Sequence, residues 1–188
     1  MATPERPRTD EESQAKVPAL ALLMKLGWTY IAPQACLTAR GSERAVLIEG
    51  MLRDWLSAYR FGYRGKDYPL TPSGIDQVFK AMTDTGLSEG LAPANERITK
   101  HLTFGVTVTD FMPDGHKHAV TVPLIDYAKP ERNRLHVTEE LSVEREGAHG
   151  HYRPDIVLYV NGIPLVVIEA KRPVSSNPDK DMLKEGIS

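Results

Sequence analysis

Asn161-Gly162 stands between two apolar runs, Asp155 to Val160 and Leu165 to Ala170, and no other pair of residues narrows the fold so far. Asn-Gly accepts positive φ at both positions, as a tight two-residue hairpin turn requires. Leu165-Val166-Val167-Ile168 is wholly apolar, the pattern of a strand buried on both faces of a sheet. The same two-residue period appears upstream. Val106-Thr107-Val108-Thr109 and Ala119-Val120-Thr121-Val122 alternate like strands around a Pro113-Asp114-Gly115 turn, and Leu135 to Val143 reads as another strand.

The first part of the chain has the helical period instead. Thr9-Asp10-Glu11-Glu12 has the capping-box pattern. Val17, Leu20, Leu23, Met24 and Leu26 follow at helical spacing, with Gly27 as the stop and Pro18 favouring a start near Val17. Further helices are expected at about Glu43 to Tyr59, Ser73 to Thr83 and Ser88 to Leu102, with Phe61 to Pro72 as a loop and a last helix beginning at Ser176-Asn177-Pro178. The expected fold class is α/β, a mixed central β-sheet flanked by helices. Residues 1–104 form its helical N-terminal part and residues 105–188 its β-rich core. The last helix looks unfinished at Ser188, as in an N-terminal fragment of a longer chain.

With 188 residues the chain can bury a proper core. No run approaches the roughly 20 apolar residues that span a bilayer, and Met1 to Asp10 lacks the apolar core of a secretory signal, so no membrane partner is expected. Cys36 is the single cysteine, which excludes an internal disulfide and a cysteine zinc cage and fits a cytoplasmic setting. The net charge of -2 argues against holding nucleic acid by bulk charge alone.

The second apolar strand ends on Glu169-Ala170-Lys171. Side chains two apart on a strand share a face, so a carboxylate and an ammonium stand side by side at the rim of the sheet. Asp155 follows Pro154 across the hairpin. Two carboxylates suit Mg2+, which prefers oxygen ligands and retains waters. Such a metal polarises a phosphoryl oxygen and acidifies a bound water, and a nearby lysine offsets charge building on phosphorus. The competing reading is a surface Glu169–Lys171 ion pair worth about 0–1 kcal/mol. Against it, Glu169-Ala170-Lys171 is the only acidic-x-Lys triplet in the chain. A strict two-residue turn would pair Val160 with Ile163 and Asp155 with Ile168, leaving Glu169 on the opposite face. Convergence of Asp155 and Glu169 therefore requires an odd-length loop or a bulge.

Pro154-Asp155 followed by Glu169-Ala170-Lys171 matches the PD-(D/E)xK nuclease signature. The longer stretch from Arg153 to Pro173 resembles the N-terminal nuclease domain of type I restriction enzyme R (HsdR) subunits. Leu26-Gly27-Trp28, Leu124-Ile125-Asp126-Tyr127 and Pro130-Glu131-Arg132-Asn133 fall where that family has similar words. The resemblance implies a restriction-endonuclease-like core, with Asp155 and Glu169 as magnesium ligands and Lys171 as the catalytic lysine. The family often carries a further acidic residue on its first helix. Glu11 or Glu12 are the candidates here, although Glu12 also has the capping explanation. Arg153 and Arg172 flank the site as candidate DNA contacts. The implied substrate is unmodified duplex DNA, cut after translocation by downstream motor domains that use ATP, with modification (M) and specificity (S) subunits as partners. The family's Gln-x-x-x-Tyr element after the lysine is absent up to Ser188, and no phosphate-binding Gly-x-x-x-x-Gly-Lys-Ser/Thr loop is present.

His116-x-His118 and His149-x-His151 have metal-compatible spacing but no third ligand in sequence, and read as loop histidines. Two rival functions stay open: a solitary restriction-like or repair nuclease, and a non-catalytic docking module on a nuclease fold.

Overall fold

The computed structural model describes residues 15–84, 90–144 and 150–170. Their contacts sort the chain into two discontinuous units. Unit 1 takes residues 1–46, 135–159 and 164–188; unit 2 takes residues 47–134 and 160–163.

In unit 1, helix α1 (Val17–Lys25) begins with proline in its first turn and ends before Gly27, whose φ of 96° suits glycine. Strand β1 (Thr29–Tyr30) and helix α2 (Pro33–Arg40) follow, then β6 (Leu135–Glu139), the short pair β7 (Val143–Glu144) and β8 (His151–Tyr152), and the hairpin β9 (Ile156–Val160) and β10 (Ile163–Ile168). The four-stranded sheet has the order β1-β6-β9-β10. β1 pairs with β6 in parallel. Glu140 donates to Asp155 near one end of β9 and Asn161 to Arg134 near the other, so β9 runs antiparallel to β6 and the sheet is mixed. α2 was not anticipated from sequence. It spans only eight residues, and the first helix expected after α1 was placed at Glu43.

Residue alternation sorts the side chains of unit 1. Val137, Ile156 and Leu158 pack with Leu20, joined by Ala19, Leu23, Trp28, Tyr30 and Ile168, which builds the α1 face. Thr138 and Tyr159, one step out of phase, are fully buried and neighbour Cys36 and Arg40 of α2. Arg40 donates to the carbonyls of Ala45 (2.9 Å) and Ser142 (2.8 Å). Burial pushes the Cys36 thiol and the Tyr159 phenol upward in pKa.

One expectation fails here. β10, the most apolar strand, is not buried on both faces. It closes the sheet at one edge, where Val166 and Val167 are 45% and 51% exposed. The inner position belongs to β9, whose residues Ile156 to Tyr159 are all buried.

Unit 2 holds α3 (Glu49–Ala58), the hairpin β2 (Arg60–Tyr63) and β3 (Lys66–Pro69), α4 (Pro72–Thr83), α5 (Leu91–Phe104), the hairpin β4 (Val106–Phe111) and β5 (Lys117–Val122), and the tip of the β9–β10 hairpin. The β2–β3 hairpin overturns the loop expected at Phe61 to Pro72. The helix expected from Glu43 begins only at Glu49, with Ile48 as its N-cap and the Ile48 amide donating to the Gly162 carbonyl (2.8 Å). α4 starts on a buried carboxylate. Asp110 of β4 accepts from the Thr71 amide (2.8 Å) and the Thr71 hydroxyl, and Thr71 in turn accepts from the Gly74 amide (3.2 Å). A Cβ at Gly74 would lie 2.9 Å from that carboxylate, so the approach requires glycine. Gln77 of α4 both donates to and accepts from the backbone of Thr109, which occupies hydrogen-bonding groups of β4.

Candidate active site

Asp155 immediately precedes β9, and its carbonyl accepts from the Glu140 amide (3.0 Å). Alternation turns its side chain away from Ile156 and Leu158, hence away from the α1 face. Ile168 at the end of β10 packs against the α1-face cluster to which those two residues belong. Glu169 follows it just past the strand. Only Asn161 and Gly162 separate the two strands, so a regular ladder would have placed Ile168 on the Asp155 face instead. Val166 and Val167 of β10 are exposed in succession.

Two hydrogen bonds fix the end of the strand. The Ala170 amide donates to Asp155 Oδ2 at 2.6 Å. The Tyr152 hydroxyl donates to Glu169 Oε1 at 2.5 Å. Asp155 is half-buried and Glu169 exposed. Sequence reasoning did not find Tyr152, since a tyrosine two residues before Pro154 carries no spacing signal. Lys171, Arg172, Glu11 and Glu12 lie outside the described residues, as do His149 and the Thr9 to Glu12 capping box. Arg153 is exposed, and its Nη1 lies 3.7 Å from Glu140 Oε2.

Beside this pair stands an ionic cluster that the sequence did not reveal. Lys16, almost fully buried, places Nζ 2.6 Å from Glu140 Oε1 and 3.0 Å from Glu139 Oε2. The Tyr30 hydroxyl donates to Glu139 at 2.7 Å. Burial works to raise the pKa of the Glu139 carboxyl, but Tyr30 and Lys16 outweigh it and hold it below the usual range. The bond to Glu139 pushes Tyr30 up to about 12. Glu140 itself has φ of 46°, an uncommon conformation for a non-glycine residue.

The comparisons with known proteins agree with one another. The family model described as "Type I restriction enzyme R protein N terminus (HSDR_N)" matches residues 8–188. The chain belongs to this family. It is 30% identical over 165 residues to the type I restriction enzyme HindI endonuclease subunit of Haemophilus influenzae, covering 85% of this chain and 15% of that protein. It is 34% identical over 77 residues to the putative type I restriction enzyme MjaIXP endonuclease subunit of Methanocaldococcus jannaschii, covering 40% of this chain and 7% of that one. The putative MjaVIIIP endonuclease subunit of the same organism is 34% identical over 98 residues, 51% of this chain and 9% of its own length. The chain thus spans at most 15% of these curated relatives.

Within this R-subunit N terminus the histidines divide. His118 lies on β5, not in a loop, and stacks against Phe61 and Tyr63 with centroids 6.0 and 4.9 Å away. His116 pairs with Asp114 (3.3 Å), and His151 of β8 with Glu43 (2.8 Å). Among the described residues no group of three histidine, cysteine or acidic side chains is placed to hold a metal. No helix of the described residues is long and apolar enough to cross a membrane.

Proposed function

We propose that this domain hydrolyses phosphodiester bonds of duplex DNA with magnesium, as the nuclease part of a type I restriction enzyme R subunit built on a PD-(D/E)xK core. The observation that carries this reading is the pair of hydrogen bonds at the end of the β9–β10 hairpin, which tie Asp155 to the Ala170 amide, next to Glu169, and Glu169 to the Tyr152 hydroxyl. The donor set fits the ion. Magnesium is typically held by one or two carboxylates together with substrate phosphates and waters, so a third protein carboxylate is not required. Asp155 and Glu169 would hold it, and it would supply Lewis acidity and a more acidic bound water.

The chain's own residues do the rest. Asp155 Oδ2 is committed to the Ala170 amide and Glu169 Oε1 to the Tyr152 hydroxyl, which sets both carboxylates before substrate arrives. Lys171 follows Ala170 directly and brings a positive charge to the phosphate as negative charge develops. Arg153 and Arg172 would contact flanking phosphates. Unmodified duplex DNA as substrate, ATP-driven translocation by downstream domains, and assembly with M and S subunits in the cytoplasm complete the proposal for the full-length protein.

The test uses the full-length R subunit assembled with its partners. Lys171→Ala is expected to lower plasmid cleavage roughly a hundred- to thousandfold, the usual loss for one preorganised electrostatic contact, with ATP hydrolysis nearly unchanged. Loss of both activities together would make Lys171 structural, and loss of neither would refute the site. The 188-residue chain alone, at net charge -2, is expected to cut plain plasmid poorly, because few phosphates are neutralised.

A further inference from the structure

A cleft of about 630 Å3 opens in unit 2, at the C-terminal end of α3. Its volume lies in the range of sites that take small organic groups, roughly 300–1,000 Å3. Trp55, Tyr59 and Tyr127 line it with buried Ile125, and Arg60 and Arg132 stand on its rim. None of these residues takes part in the chemistry proposed for Asp155 and Glu169.

All three rings are tied down at their polar tips. Trp55 Nε1 donates to the Pro123 carbonyl (3.3 Å), the Tyr59 hydroxyl to that of Thr121 (3.4 Å), and the Tyr127 hydroxyl to that of Leu102 (3.2 Å). With the tips so engaged, the apolar rings are what the cleft offers a ligand, already ordered. Tyr127 is 62% exposed. Arg60 donates through Nη1 to the carbonyls of Ser57 (2.7 Å) and Tyr59 (2.9 Å). Those partners are neutral, so they fix the guanidinium without cancelling its charge. Arg132 Nη1 is 3.9 Å from Asp126 Oδ2, a distant pairing. Asp126 also lines the cleft, as an acceptor for an amino group.

Pinned aromatic walls, cations at the rim and one carboxylate are the complement of a nucleobase with its phosphate. Every base has a π-face to stack, and its backbone carries the negative charge that arginine binds. A paired base inside a duplex could not present its face to such walls. We propose that this cleft binds an unpaired nucleotide, as a single strand or a splayed-out base, at a site separate from Asp155 and Glu169.

The test is fluorescence anisotropy of a labelled oligothymidylate with the 188-residue chain, in EDTA so that no metal chemistry contributes. Binding is expected, with mononucleotide as a competitor and blunt duplex a poor one. Tyr127→Ala should weaken it at least about fivefold, the lower end for loss of one stacking partner. Tyr127→Phe should weaken binding less than Tyr127→Ala, because it keeps the ring and gives up only the bond to the Leu102 carbonyl. Tyr127 is exposed, so neither change threatens folding, and far-UV circular dichroism checks this. Arg60→Ala should weaken binding and reduce its salt dependence. The proposal is overturned if oligothymidylate does not bind, if Tyr127→Ala binds as tightly as the parent, or if duplex competes equally well. Because the readout needs no cleavage, it is independent of the nuclease reading.

Discussion

Two hairpins turn on the same backbone geometry and are held by opposite means. Asn161-Gly162 has φ of 53° and 83°, and Arg64-Gly65 has 48° and 78°. Both are two-residue turns with positive φ at each position. The first is buried and neutral. Asn161 is fully buried, donates to the Leu124 carbonyl and to Asn133 (both 2.9 Å), and accepts from the Arg134 amide (2.8 Å). A Cβ on Gly162 would meet the Ile48 carbonyl at 2.6 Å. The second turn is open and charged. A Cβ on Gly65 would meet nothing within 4 Å, and the hairpin is tied by ion pairing of Arg64 with Asp114 (2.8 Å) and by the Tyr63–Asp114 hydrogen bond (2.9 Å). One backbone shape thus tolerates two chemistries, and burial decides which. In the interior an amide side chain can satisfy donors and acceptors together without carrying a charge out of water.

The contrast gives graded expectations. Gly162→Ala should cost most, about 2–5 kcal/mol, since it combines left-handed strain with a backbone clash that no rotamer relieves. Urea denaturation measures it, and a loss under 1 kcal/mol would mean that the turn is not enclosed as described. Asn161→Ala should cost more than about 2 kcal/mol by stranding buried backbone groups, each worth about 1–3 kcal/mol. Gly65→Ala, with the same φ but open space, should cost only about 1–2 kcal/mol; if it equals Gly162→Ala, the distinction drawn from burial collapses.

The smallest effect is pH-dependent. The His116 amide, with smaller help from Tyr63 and Arg64, holds the Asp114 carboxyl below the usual carboxylate range. Its folded pKa being depressed, its contribution is present above the unfolded value near 3.8 and lost as pH falls through the folded value. The melting-temperature gap between the parent and Asp114→Asn should therefore persist from neutral pH to about 5 and close below about 3.8. The gap between the parent and Asn161→Ala has no titrating group behind it and should not close in that window.

The same contrast explains what the sequence could disclose. Asn161-Gly162 was legible because Asn-Gly between apolar runs is the strongest short-range hairpin signal. Arg64-Gly65 was not, because arginine is a poor marker of positive φ and Lys66-Asp67-Tyr68-Pro69 lacks the apolar alternation of a strand. β10 was found as a strand, but its exposure was not, since an apolar run does not say whether it lies inside a sheet or along its edge. For the site, the sequence displays Asp155 and Glu169 as two carboxylates flanking one hairpin. The bracing by Tyr152 and Ala170 depends on tertiary packing that no spacing encodes. Lys16 was hidden for a related reason: a lysine at a helix start looks like surface charge until two glutamates more than 120 residues away enclose it.

The parallel pairing of Thr29-Tyr30 with His136-Val137 also bears on how the chain is made. A ribosome adds about 5–20 residues per second. Thr29-Tyr30 therefore emerges on the order of ten seconds before its partner strand exists, and β9, which supplies Ile156 and Leu158, comes later still. During that interval Leu20, Leu23 and Trp28 have, of the strand residues in their cluster, only Tyr30. A nascent chain in that state displays an apolar helix to the crowded interior of the cell, the kind of surface that chaperones bind. Completion of unit 1 is thus timed by synthesis of a single late hairpin, and translational pausing between residues 30 and 156 would lengthen the exposure.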